Sequence, residues 1–180
     1  MPEPTDNIVL IGMAGSGKSS IGRRIARKLS RPFIDTDELI KEKAGRPLQQ
    51  IIEKQGLSSF RQFEENVLVG LHCTNHVIAT GGSSVYSGKG MRHLKKNGYV
   101  IFLDVGLDIL IKRITDFADR GLVKQPDQSF SELYTERKPL YLQYADLIYP
   151  CGEKSEAEIC NALIDIIKEK TIIDTAENKA

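Results

Sequence analysis

The sequence predicts an α/β protein whose parallel sheet is covered by helices on both faces. Two observations carry this. Short apolar runs at 8–11, 32–35, 77–80, 99–103 and 147–149 alternate with amphipathic stretches. No hairpin-type turn joins consecutive runs, so each strand must return through a helix and lie parallel to the others. Five strands follow from that count. At 180 residues, with no internal repeat and no low-complexity tract, the chain reads as one domain over 1–180.

The first run leads directly into Gly12-Met13-Ala14-Gly15-Ser16-Gly17-Lys18-Ser19, which fits the GxxxxGK[ST] pattern of a phosphate-binding loop. Helical spacing of Ile21, Ile25 and Leu29 follows, so the loop stands between a strand and a helix. Glycines let backbone N–H groups turn inward without Cβ clashes, and the helix N-terminus adds positive potential for phosphate. Gly12, Ala14, Gly15, Ser16, Gly17, Lys18, Ser19 and Ser20 are therefore the expected nucleotide-binding residues. In such a loop Lys18 reaches the β- and γ-phosphates and the Ser19 hydroxyl ligates Mg²⁺.

Helices are expected over 19–29, 38–43, 48–54, 60–71, 107–115, 130–144 and 156–168, with Pro139 kinking or restarting the sixth. The tail from 171 is polar and is expected to fray. In an open parallel sheet, ligands sit beyond the carboxyl ends of the strands. That rule selects Gly12–Ser19, Asp35-Thr36-Asp37, Thr80-Gly81-Gly82-Ser83 and Asp104. The two aspartates at i and i+2 suit separate duties, one holding Mg²⁺ or its water and one orienting an attacking hydroxyl. Their competing reading is helix capping before Glu38. Asp104 closes an apolar strand in the manner of a Walker B aspartate, though many strands end so before a helix. Arg61 and Glu65 stand at i and i+4, the spacing of a solvated ion pair. Arg113 and Arg120 flank Asp116-Phe117-Ala118-Asp119, and over about 117–128 the apolar pattern lapses, as in a mobile lid that carries an arginine and excludes water. Arg137 precedes Pro139 with no orientation readable from spacing.

A formal net charge of +1 gives no electrostatic case for a nucleic-acid or membrane partner. Cys73, Cys151 and Cys160 are odd in number and lack CxxC spacing, which argues against a disulfide framework or zinc site and for a reduced compartment. His72, His76 and His93 read as structural or surface residues. Residues 1–7 lack a signal-peptide core, and no apolar run approaches a bilayer span. The expectation is a cytoplasmic monomer.

Taken in order, GMAGSGKSSIGRRIARKL, FIDTD, GLSSFRQFE, VIATGGS, Arg113 with Arg120, and ERKPLYLQYAD resemble shikimate kinase, a small P-loop kinase of the nucleoside-monophosphate-kinase type. The likeness spans about 7–168. It implies a three-layer α/β/α fold with strand order 2-3-1-4-5, a lid, and ATP- and Mg²⁺-dependent phosphorylation of the 3-hydroxyl of shikimate on the route to chorismate and the aromatic amino acids. By the same resemblance Lys18, Asp37 and Arg120 are catalytic, and Ser19 with Asp35 serves the metal. Asp37, Arg61, Gly81, Gly82 and Arg137 hold the acceptor, Arg61 and Arg137 gripping its carboxylate, and Arg113 lies beside adenine. Asp104 then falls to a structural role. Three positions depart from the family pattern: Ser83 replaces a third glycine, Gly121 replaces the lid proline, and Leu57 replaces a glutamate. The alternatives left open are a kinase of this fold acting on another hydroxy acid or amino acid, of the gluconate or homoserine type, and a non-catalytic nucleotide-binding protein. Against the latter, the chain carries no NKxD guanine motif.

Overall fold

The computed structural model describes residues 6–113, 123–125 and 127–177, with side chains through Glu169. A run of five apolar or neutral residues, all buried, forms β1 (Asn7–Ile11). Such a run cannot face water on either side, and it takes the centre of the sheet. β3 (Val77–Ala79) and β4 (Gly98–Asp104) flank it, with β2 (Phe33–Asp35) and β5 (Leu147–Pro150) outermost. The order is 2-3-1-4-5 and every pairing is parallel.

Register decides where the chemistry gathers. Leu10 lies opposite Ala79 and Ile101, and Asp35 lies opposite Ala79. Strands β2 and β3 therefore end level with Leu10, one residue before β1 ends, and Gly12, Thr36 and Thr80 leave the sheet within a residue of one another. Two hydrogen bonds fix this edge: the Thr80 N–H donates to the Leu10 carbonyl at 3.1 Å, and the Gly81 N–H donates to Thr36 Oγ1 at 2.9 Å.

Among the described residues seven helices surround the sheet: α1 (Lys18–Leu29), α2 (Thr36–Ala44), α3 (Leu48–Val69), α4 (Gly88–Lys96), α5 (Leu107–Arg113), α6 (Phe130–Tyr144) and α7 (Glu156–Glu177). Several differ from the sequence expectation. The stretches at 48–54 and 60–71 join into the single element α3, and Gly56, at φ 82° and ψ 164°, marks the kink between them. Helix α4 is absent from the sequence expectation because Gly88 and Gly90 depress its intrinsic propensity. It is held instead by buried Met91 and Leu94 and by Ser87, whose hydroxyl accepts from the Gly90 N–H at 2.9 Å. Helix α6 continues through Pro139 as one element. Helix α7 extends to Glu177, so the described part of the tail, 171–177, is helical, since lengthening an existing helix costs far less than starting one. The part of the expected 107–115 helix beyond Arg113, and most of the lid expected over about 117–128, including Gly121, lie outside the described residues.

Two apolar cores result. The larger encloses the sheet. The smaller joins Ile40 of α2, Leu48, Ile51, Phe60 and Val67 of α3, and Val123, with Leu57 packed at its margin. The carboxylate expected of the family at that position would meet apolar neighbours here. Phe60 is fully buried in this second core. Phe60→Ala is expected to lower the free energy of unfolding by about 3–5 kcal/mol in urea titrations. A loss under about 1 kcal/mol would mean that α2 and α3 do not unfold cooperatively with the sheet.

Candidate active site

The phosphate loop is shaped by backbone that only glycine adopts easily: Gly15 and Gly17 have φ of 82° and 91°. Gly17 is the N-cap of α1 and supplies no side chain, so the first amides of the helix stay free to bind an anion. Lys18, 7% exposed, folds back and donates to the carbonyls of Gly12 and Met13, both at 2.8 Å. Burial lowers its pKa to about 8 against the opposing pull of Asp37 and Asp35. Ser16 Oγ is buried without a hydrogen-bond partner. Ser19 Oγ donates to Asp35 Oδ2 at 2.5 Å. Ser20 Oγ donates to Glu156 at the start of α7 and to the Gly17 carbonyl.

A cleft of about 900 Å³ opens over this loop, lined by Ala14, Gly15, Lys18, Arg113 and Glu156 among others. Asp37 lines the same cleft, which carries it from the loop to the ends of β2 and β3. The capping reading of Asp35 holds, and its second oxygen meets the phosphate loop. Its Oδ1 accepts from the Asp37 N–H at 3.1 Å and the Glu38 N–H at 3.4 Å, capping α2, while Oδ2 takes the Ser19 hydroxyl. The helix consequently begins at Thr36, two residues before the expected start.

On the far side of Asp37 the chain packs without slack. A Cβ built on Gly81 would lie 2.4 Å from Asp37 Oδ1 and 2.8 Å from Glu64 Oε1, and one on Gly82 would lie 3.0 Å from Arg137 Nη1. Arg137 is 1% exposed and donates to the Val123 carbonyl, with Nε 3.4 Å from the Tyr86 hydroxyl. Arg61 does not form the expected pair with Glu65. Glu65 turns away to Ser87 Oγ at 2.7 Å and Lys89 at 3.8 Å, and the Arg61 guanidinium stacks on Tyr86 at 3.9 Å with its Nε buried and unpartnered. Arg61 and Arg137 thus share the Tyr86 ring, while Gly82 borders Arg137 and Gly81 borders Asp37, so the five residues adjoin one another and this side is called a wall below. Arg120 lies outside the described residues. Asp104 pairs with Lys138 at 3.3 Å, consistent with a structural role.

Three residues of this wall are not singled out by the sequence. Glu64, 1% exposed, receives the Ser83 hydroxyl on both carboxylate oxygens, and burial raises its pKa to about 7. Tyr86 carries both arginines on its ring, at 3.9 and 5.3 Å. Tyr141 donates to the Gly82 carbonyl at 2.7 Å. The spacing of Phe60, Glu64 and Val67 at i, i+4 and i+7 is the available signal for Glu64, since it puts the carboxylate on the apolar face. Asp37 is likewise raised, by burial first and then by Asp35. The histidines are structural: His93 Nε2 meets the Leu71 carbonyl and His76 Nδ1 the Thr74 carbonyl. The three cysteines are free.

The family model described as shikimate kinase matches residues 14–168. Over 165 residues the chain is 36% identical to the shikimate kinase of Sulfurihydrogenibium sp. (strain YO3AOP1), covering 91% of this chain and 99% of that one. Over 148 residues it is 41% identical to the shikimate kinase of Xylella fastidiosa (strain 9a5c), covering 81% and 82%. The solved shikimate kinase from Acinetobacter baumannii in complex with shikimate matches with a TM-score of 0.84 at 28% identity, covering 93% of this chain and 96% of that one.

Burial of Glu64 has a thermodynamic signature. Its pKa rises from 4.5 unfolded to about 7 folded, so the native state binds the extra proton and the unfolded state does not. The associated destabilisation is small below pH 4.5, grows between 4.5 and 7, and is complete above 7. Glu64→Gln should therefore raise the melting temperature relative to the parent by more at about pH 8 than at about pH 5. Equal shifts at both pH values would show that Glu64 does not titrate in this window.

Proposed function

The chain belongs to the shikimate kinase family, and from that membership we propose that its site transfers the γ-phosphoryl group of ATP to the 3-hydroxyl of shikimate. The observation that supports this most is the junction at Asp37. One side of that carboxyl lines the cleft over the phosphate loop, and the other abuts Gly81 beside two arginines.

The acceptor's carboxylate suits Arg61 and Arg137, because a guanidinium fork donates parallel hydrogen bonds that an ammonium cannot copy. Arg61 offers an unpartnered Nε for it. Gly81 and Gly82 let the acceptor approach bare backbone. Asp37 orients the attacking hydroxyl and, with its raised pKa, takes the proton as the O–H bond breaks. The oxygen bonds to the γ-phosphorus while the bridging bond to the β-phosphate breaks and ADP leaves. Lys18 exchanges its two loop carbonyls for phosphate oxygens and stabilises their charge. Arg113 lies along the nucleotide cleft where the base is expected, and Arg120 is proposed to join the transferring phosphate.

The donor set at Ser19 and Asp35, a hydroxyl and a carboxylate 2.5 Å apart, consists of the hard oxygen ligands that Mg²⁺ prefers. Ser19 and Asp35 would hold the ion, which when bound neutralises charge on the β- and γ-phosphates. We also infer action on small molecules alone, as a monomer of the cytoplasm. Among the described residues no helix is long and apolar enough to cross a membrane.

Asp37→Ala tests the central assignment. Turnover with shikimate should fall by about 10²–10⁴-fold in a coupled ADP-release assay while ATP still binds. Near-normal turnover would remove Asp37 from the mechanism. A panel run beside it with gluconate and homoserine should show no acceptor approaching shikimate, and a better acceptor in that panel would overturn the substrate.

A further inference from the structure

Two arginines from distant parts of the chain meet at one ring. Arg61 comes from α3 and Arg137 from α6, and the short 3-10 turn Ser84–Tyr86 packs against both helices. That turn gives Tyr86 a fixed place. Ser84 and Val85 before it are buried, and the Tyr86 N–H donates to the Ser83 carbonyl at 3.0 Å. At the far end of the ring the hydroxyl donates to Glu136 at 2.6 Å and lies 3.4 Å from Arg137 Nε. Gln128 donates to the other oxygen of the same carboxylate. The Arg61 guanidinium sits 3.9 Å from the ring centroid and that of Arg137 5.3 Å. Like charges gathered at one place repel, so something must hold them there. An aromatic face attracts a guanidinium through its quadrupole and leaves the in-plane N–H groups to other partners. Arg61 Nε is buried with no hydrogen-bond partner, and Arg137 Nη1 borders the bare backbone of Gly82. A buried, unpaired donor on a charged group is costly, and an anionic ligand removes that cost.

We propose that Tyr86 is a positioning residue for the acceptor: its ring, braced at the hydroxyl by Glu136, gathers the Arg61 and Arg137 guanidiniums into one pair for the carboxylate of a bound substrate. The proposal rests on the acceptor-site reading above. The ring carries the effect, because it holds both cations without using up their donors. Without it the two guanidiniums separate, and the acceptor must draw them together again as it binds. Acceptor binding then weakens, while nucleotide binding and the chemical step keep their residues, since Tyr86 is not among those that line the nucleotide cleft.

Steady-state kinetics of Tyr86→Leu tests this, with Tyr86→Met as the second variant should the first fail to fold. The KM for shikimate is expected to rise about 10-fold, the worth of a desolvated cation–π contact, with kcat and the KM for ATP within about threefold of the parent. Tyr86→Phe keeps the ring and gives up the hydroxyl, and should recover most of that loss, to within about twofold of the parent KM. In an Arg61→Gln background Tyr86→Leu should add a smaller rise than it does in the parent, since the ring acts through that guanidinium. An unchanged shikimate KM in the folded variant, a Phe variant as impaired as the Leu variant, or an equal rise in both backgrounds overturns the proposal. Arg61→Gln is also measured alone. If it leaves the shikimate KM unchanged, the acceptor-site reading itself has failed. If it raises that KM and Tyr86→Leu does not, only the role of Tyr86 is lost.

Discussion

Lys18, Glu64 and Arg137 are nearly sealed from water beside the ends of β1 and β3, with Asp37 half-buried among them, and none of them is tolerable there alone. An isolated buried charge costs several kcal/mol, and removing one partner from a buried set typically costs about 3–5 kcal/mol. The opposing shifts follow from this. Burial pushes Lys18 down to about 8 and Glu64 up to about 7, and raises Asp37 as well, so each group leans toward its neutral form. The level strand ends, the bare backbone at Gly81 and the Tyr86 platform all hold these groups close enough to compensate one another. As the carboxyls move toward neutrality, the arginines are left with charge in excess. Under the proposed function, the phosphates of the nucleotide and the carboxylate of the acceptor would balance that excess.

The parts of this design that are legible in the sequence are those dictated locally. Gly12–Ser19 announces itself because a phosphate cradle needs particular backbone conformations, and the register of short buried strands then brings Asp35, Asp37 and Gly81 to one edge. Helix α4 is not legible, because its propensity is poor and its existence depends on burying Met91 and Leu94. Glu64 is hidden for a related reason. A glutamate on a helix is usually solvated, and only the packing of α3 against the loop after β3 turns it inward. Spacing misleads at Arg61 through the same gap: an i,i+4 pair with Glu65 is permitted, but Ser87 and Lys89 take that carboxylate and leave Tyr86 for the guanidinium.

Asp35 shows how one carboxylate can serve a helix cap and the phosphate loop at once. Its carboxylate has two oxygens with separate lone pairs. Oδ1 binds the first amides of α2, and Oδ2 faces Ser19 of the phosphate loop. The capping bond fixes where α2 begins and hence where the Asp37 side chain stands relative to the loop. One residue thus ties the position of Asp37 to that of the phosphate loop through bonds to both.

A comparable tie exists on the acceptor side. Val123 is buried in the second core with Phe60 and Ile40, and its carbonyl receives Arg137. Arg113, at the end of α5, lines the nucleotide cleft instead. These two positions are therefore held by different interactions in different halves of the site, a cleft wall at Arg113 and an apolar cluster with a buried arginine at Val123. Loss of packing at Phe60 would reach Arg137 through Val123 without disturbing the phosphate loop, whose glycine backbone and Lys18 contacts lie outside that cluster. The second core thus helps to hold Arg137 as well as contributing to the protein's stability.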